Sequence, residues 1–193
     1  MSYPATFTLD APEKLARWRP LVQWILAIPH FIALYFFGIV AGLAMIAAWV
    51  MVVLTGALPG GLARVVIAYN RYNTRVTTYA GYLHDSYPPF AFPSDDEDPG
   101  DQPVGTSFTP ALEGRNRLTA LLRIIWAIPA ILFLYVVSIA APVVWFIAFF
   151  AVLITGGWPS GMRNFVVGFL RLGSRVTAHL TLLTDEYPPF SLD

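Results

Sequence analysis

The sequence predicts an all-α integral membrane protein built as a tandem duplication, and three observations point to it. Apolar residues make up 56% of the 193 positions and charged residues only 12%, with a mean hydropathy of +0.60. Soluble domains carry about twice that share of charge, so this chain has too little polar surface to coat itself in water. Two long uncharged runs, Pro20 to Ala63 and Ile124 to Met162, hold most of the apolar residues. Finally, the chain matches itself when shifted by 100 positions, without gaps.

The duplication organises everything else. ILAIPHFIALYF (25–36) lies over IWAIPAILFLYV (125–136), TGALPGG (55–61) over TGGWPSG (155–161), and RYNTRVT (71–77) over RLGSRVT (171–177). In all, 29 of the 83 positions in 11–93 are identical to those in 111–193, where chance gives a handful. Each copy closes on the same hexapeptide, DSYPPF at 85–90 and DEYPPF at 185–190. The repeats are thus 1–91 and 111–193. The segment 92–110 between them, with four consecutive acids, four prolines and two glycines, reads as a solvated linker. Its acids offer an alternative use as a partner's contact.

One helix needs about 20 residues to cross a bilayer, so each uncharged run is too long for one span and barely long enough for two. Gly, Ser and Pro near FFGIVAG (36–42) and SIAAP (138–142) offer a break. Each repeat is therefore expected to form a short transmembrane helical hairpin, with a re-entrant hairpin as the rival. All twelve Lys and Arg residues lie outside these hairpins, and two spans per repeat put them all on one side. The positive-inside rule makes that side cytoplasmic. The expectation is a multi-pass protein of the cell (inner) membrane with termini and linker in the cytoplasm. The first apolar run follows a mixed-charge leader with no small-residue cleavage site, which argues against a removable signal peptide.

After each hairpin, Thr-Gly-x-x-Pro-x-Gly reads as a helix stop and exit turn. In the stretch 62–83, Leu62, Val65, Tyr69, Tyr72, Val76, Tyr79 and Leu83 step by three or four, and Arg64, Arg71 and Arg75 take another face. This predicts an amphipathic helix lying in the membrane interface, repeated in the second copy, with arginines toward lipid headgroups. The expected headgroup contacts are Arg64, Arg71, Arg75, Arg163, Arg171 and Arg175. Packing of the same stripe on a neighbouring subunit is the alternative. Pro-Pro then ends the helix and starts an extended YPPF tail, whose Tyr87, Tyr187, Phe90 and Phe190 serve as anchors. A Pro-rich ligand for another domain is the other use of that motif.

The joint pattern of LAIPH, TGxxPxG and RxxxRVTxYxxxLxDxYPPF resembles a prokaryotic family known as domain of unknown function 4389. Both copies fit, over nearly the whole chain. The second copy departs at Ala130, where the first has His30, and at His179, where the first has Tyr79. The resemblance implies small integral membrane proteins with one or two such units, and no activity.

Candidate chemistry is sparse. Cysteine is absent, and the three histidines have no partners at metal-ligand spacing, so no metal site or cofactor is expected. No carboxylate pair occupies an apolar site, so no catalytic residue is assigned and an enzyme is not expected. Zero net charge gives no reason to expect nucleic acid. His30, inside the first apolar run, is the one intramembrane polar candidate. Its alternative role is to satisfy a backbone carbonyl freed by Pro29. The function expected is a non-enzymatic membrane module, scaffolding or assembling with lipids, with copies of itself as a homo-oligomer or with other membrane proteins. The alternative is an oligomeric transporter or channel for a small solute or ion, its repeats related by an axis along the membrane normal.

Overall fold

Long apolar sequences with no competing polar side chains close their backbone hydrogen bonds internally, and helices dominate the computed structural model, which describes residues 3–193. The first repeat contains strand β1 (Ala5–Leu9) and helices α1 (Arg19–Leu26), α2 (Ile28–Thr55) and α3 (Gly60–Ala80). The second contains α4 (Arg117–Leu121), α5 (Arg123–Thr155) and α6 (Ser160–Leu180), preceded by strand β2 (Val104–Phe108) in the segment between the repeats.

The expected hairpins are replaced by single helices. α2 runs unbroken through Gly38 and Gly42 for 28 residues, and α5 runs through Pro142 for 33. At 1.5 Å per residue they are about 42 and 50 Å long. Glycine weakens a helix mainly by exposing it to water and freeing its backbone, and in an apolar run no alternative bonding partner exists. Gly38 serves close approach instead, since a Cβ there would lie 3.3 Å from the Tyr69 hydroxyl. The chain does turn at the Thr-Gly-x-x-Pro motifs. Gly56 and Gly156 cap α2 and α5 in the left-handed conformation (φ 74° and 75°), and Pro59 and Pro159 lead into α3 and α6.

α3 returns along α2, and α6 along α5. The stripe of α1 and α2 that receives α3 is Gln23, Ala27, His30, Ala41, Ala44, Ala48 and Val52, all buried and mostly small. Small side chains let the helix backbones approach closely.

The two repeats interlock. One core joins Ala48, Val52, Leu58 and Val66 of the first repeat to Ala120, Leu182 and Leu183 of the second. The other joins Ala148, Val152, Trp158 and Val166 to Leu15, Tyr82 and Leu83. A shift of 100 positions exchanges most members of one core with the other, the signature of a pseudo-twofold axis. The backbone repeats it: Arg115 N–H donates to Gly56 O (2.9 Å) and Leu15 N–H to Gly156 O (2.7 Å). The end of α2 thus abuts the chain entering α5, and the end of α5 abuts the chain entering α1 and α2.

The segment 92–110 is not a free spacer. β2 pairs antiparallel with β1 in the register Ala5↔Phe108, Phe7↔Thr106, Leu9↔Val104. The inward members of the ribbon are buried, β1 lying on α6 and β2 on α3. Composition missed this because five residues of alternating burial, VGTSF, suffice for a strand once a partner edge is present. Two acids before it, Asp98 and Asp101, pair with buried cations.

Candidate membrane interface and buried charge clusters

Apolar exposure is confined to one set of elements. Among the described residues, large hydrophobic side chains more than a third exposed lie on α1, α2, α4, α5, the chain before α1 and the extended segments, and none lies on α3 or α6. Ile32, Leu43 and Ile46 on α2, and Ile124, Ile139 and Phe146 on α5, are each more than half exposed. Two helices, Ile28–Thr55 and Arg123–Thr155, are long and apolar enough to cross a membrane, with window hydropathies of 2.5 and 2.6. Only 22% and 17% of those windows is buried, which separates them from core helices of a soluble protein.

The polar layer is held by buried ion pairs that the periodicity of α3 and α6 did not disclose. Arg71 and Arg75, expected at headgroups, are 0% and 1% exposed. Arg71 donates from Nε and Nη2 to Thr106 O (3.0 and 2.9 Å), from Nη1 to Pro93 O (2.8 Å) and from Nη2 to Asp95 O (2.9 Å), and its Nε pairs with Asp98 (3.0 Å). Arg75 Nη2 bridges Asp98 (3.1 Å) and Asp101 (2.8 Å). The segment 92–106 is folded over these guanidiniums, so they have no exposed surface for a headgroup. The physical reason is a fold-back of the chain: Asp98 and Asp101, 20-odd residues downstream, supply carboxylates to the same guanidiniums.

The other four arginines divide. Arg64 is exposed. Arg163 is half-buried and donates to Ala11 O (2.5 Å). Arg171 donates to Leu192 O (3.2 Å), and Arg175 to Ser191 O (3.3 Å) and Asp193 O. The second repeat thus uses residues 191–193 on its arginines much as the first uses 93–95.

The aspartate opening each hexapeptide holds the start of its own repeat. Asp185 accepts from Arg115 Nε (2.8 Å) and Nη2 (2.6 Å) and from Arg123 Nη2. Burial alone would raise the Asp185 carboxyl, but the hydrogen bonds and charges of Arg115 and Arg123 outweigh it and hold it below its usual value. In the first repeat Arg19 faces Asp85 (3.8 Å), and Gln23, at the position of Arg123, donates to His84 O (2.6 Å). The repetition of Asp-x-Tyr-Pro-Pro-Phe was the signal for this contact. The tails fold back as intramolecular anchors: Tyr87 OH donates to Leu26 O (3.4 Å), Ala130 N–H donates to Tyr187 OH (3.1 Å), and Phe190 meets Phe133 edge-on at 5.4 Å.

His30 is fully buried, its Nδ1 hydrogen-bonded to the Tyr72 hydroxyl (2.6 Å) and its ring stacked on Phe90 at 4.1 Å. It does not satisfy a carbonyl freed by Pro29, because Pro29 sits in the first turn of α2, where no interior bond is lost. His84 and His179 are also buried, and burial pushes each down to about 4. Asp85 opposes the shift at His84, whereas Arg123 adds to it at His179. Both are neutral in the fold, so stability should be flat above pH 6.5. Below that it should fall toward pH 4, as the unfolded chain takes up protons that the folded chain refuses. The effect is roughly 3 kcal/mol per histidine by pH 4. Unfolding midpoints in detergent between pH 4 and 8 check this, and the double variant His84→Gln/His179→Gln should flatten the slope. An unchanged slope would assign the acid lability to groups other than these histidines and Asp185, whose contribution is lost only below its ordinary value of 3.8.

Residues 17–91 and 117–191 each match the family described as Domain of unknown function (DUF4389). The chain belongs to that family. It carries two tandem copies, and together they account for most of its length. In this DUF4389 chain the matches run from just before α1 in the first copy and from the first residue of α4 in the second through the YPPF tail. No curated protein and no solved structure matches the chain.

Proposed function

We propose that this DUF4389 protein is a non-enzymatic membrane module, whose apolar helices α1, α2, α4 and α5 embed in lipid while α3, α6 and the β-ribbon form a polar platform for assembly. The observation that supports this best is the division of the surface: large exposed apolar side chains crowd α1, α2, α4 and α5, and among the described residues none lies on α3 or α6, where Arg71 and Arg75 pair with Asp98 and Asp101. The platform is assigned to the cytoplasmic face by its arginines. Its rim residues, Arg64 among them, are the remaining candidates for headgroup contact.

This reading is preferred to the transporter or channel because the polar side chains of the apolar helices do not line a common route. Gln23 Nε2 is bonded to His84 O and His30 Nδ1 to the Tyr72 hydroxyl, both side chains fully buried, and Tyr35 and Tyr135 point outward at 68% and 64% exposure. The test is partition of the full chain between membranes and buffer after an alkaline wash. The parent should stay with the membranes and leave only with detergent. Replacing Leu43, Ile46, Ile139 and Phe146 by Asp should raise the aqueous fraction about tenfold or more, since each exposed side chain contributes roughly 1.5–3 kcal/mol of burial in lipid. Full recovery of the parent in buffer would end the membrane reading.

A further inference from the structure

Resting on that membrane reading, the geometry points to a sharper one: we propose that the protein sits in a single leaflet, with α2 and α5 lying parallel to the membrane plane and the pseudo-twofold axis along the membrane normal.

The placement of charge along the helices carries this. Spanning requires a slab about 30 Å thick, perpendicular to the helices, that is free of exposed charge. At the start of α1 stand Arg17, Arg19 and Asp85, and Arg19 is bonded to Asp85. At the end of α2, the Arg115 backbone N–H donates to Gly56 O, and the guanidinium of Arg117 donates from Nη2 to Thr55 O (3.1 Å). Between them, α3 brings Tyr72 against His30 and Tyr69 against Gly38, so Arg71 lies level with residues 30–38 of α2. That level is about 20 Å from Arg19, and within the roughly 30 Å between it and Thr55 the Arg123–Asp185 pair intervenes, held level with Trp49 by the bond from Trp49 Nε1 to Ala120 O (3.0 Å). Folded over Arg71 there is the segment carrying the exposed Asp95, Asp96 and Glu97. A spanning α2 would bury these carboxylates in hydrocarbon, at several kcal/mol each. Charge thus occurs at the start, along the length and at the end of the helix pair.

Across the helices the picture reverses. One side carries α3, α6, the ribbon and the pairs of Arg71 and Arg75 with Asp98 and Asp101, and the other carries the exposed apolar residues of α1, α2, α4 and α5, with the pairs of Arg19 and Arg123 at the helix starts. The charge-free layer runs along these helices and not through them. Direction adds a second argument. Two helices of about 42 and 50 Å whose ends meet each other's starts at both junctions run in opposite directions. As spans they would give the two repeats opposite topologies and place equivalent arginines on opposite sides of the membrane. Laid flat, both repeats meet the same leaflet in the same way, as amphipathic interfacial elements do.

The chain has no cysteine, so single labels can be introduced cleanly. Cysteines at the exposed positions Ile32, Leu43, Leu54, Ile124 and Ile139, each in the full chain reconstituted in phosphatidylcholine/phosphatidylglycerol vesicles, would carry a fluorophore for depth measurement by lipid quenchers. Further cysteines at Asn116 and Trp18 would be probed with an impermeant maleimide from each side. The proposal expects all five fluorophores at similar, shallow depth, within about 10 Å of the headgroup boundary. It also expects Asn116 and Trp18 to label from the same side. Labelling of Asn116 and Trp18 from opposite sides, with Leu43 deepest, would overturn the in-plane arrangement and leave the membrane module standing. No quenching at any position, with the protein in the buffer, would overturn both.

Discussion

Replacing Asp98 by Ala should destabilise the protein by about 3–5 kcal/mol, because it strips the shared carboxylate from two buried guanidiniums. Asp98 is 7% exposed and meets both Arg71 and Arg75, while Arg71's other partners are backbone carbonyls of the same folded-over segment. Removing the carboxylate leaves buried Arg71 with no carboxylate partner beside Arg75, which keeps only the half-exposed Asp101, and this is costlier than never having placed the charges there. Replacing all three, as Arg71→Met, Arg75→Met and Asp98→Leu, should therefore cost much less than Asp98→Ala alone. Thermal unfolding in detergent checks the ordering, and limited proteolysis within 92–103 reports release of the segment. If Asp98→Ala melts like the parent while the triple variant does not, the ion pairs are not what holds the platform together. The same variants separate two roles for these arginines: loss of Arg71 or Arg75 should lower stability and leave lipid co-purification largely unchanged.

Trp158→Ala should cost about as much, 3–5 kcal/mol, by opening a cavity where the repeats interlock. Trp158 is 4% exposed, stacks on Tyr82 with ring centroids 5.4 Å apart, and donates from Nε1 to Tyr82 O (2.8 Å). Tyr82 belongs to the other repeat, so the loss falls on the contact between copies. The counterpart by the shift of 100 is Leu58, in the reciprocal core with Leu182. Leu58→Ala should cost about 2–5 kcal/mol and act through the same cooperative transition. Single unfolding transitions in both variants would support an interlocked pair. Two separate transitions, one per repeat, would mean that the copies fold as independent units.

How much of this was legible depended on the range of the interaction. The duplication, the two apolar runs, the capping glycines at 56 and 156, the α3 and α6 periodicity and the YPPF fold-back all follow from residues close together or from self-similarity. What the sequence hid was long-range. Gly38 read as a helix breaker, yet it marks where Tyr69 approaches α2. Arg71 and Arg75 read as a headgroup face, because nothing local shows that the acids at 95–101 fold back on them. The interlocking of copies is invisible to periodicity altogether, since Ala48 and Trp158 look the same whichever repeat they pack against. His30 and Asp185 were open to notice, the first as a lone polar group and the second as a repeated one, but their partners Tyr72 and Arg123 were not.

The most direct test of the whole account is the orientation of the helices in oriented membranes, read from the polarised infrared dichroism of the amide I band of the unmodified protein. Because α3 follows α2 and α6 follows α5, all four long helices share nearly one direction pair, and a single dichroic ratio reports it. The account predicts helix axes close to the membrane plane. A ratio placing the mean helix axis near the membrane normal would contradict it.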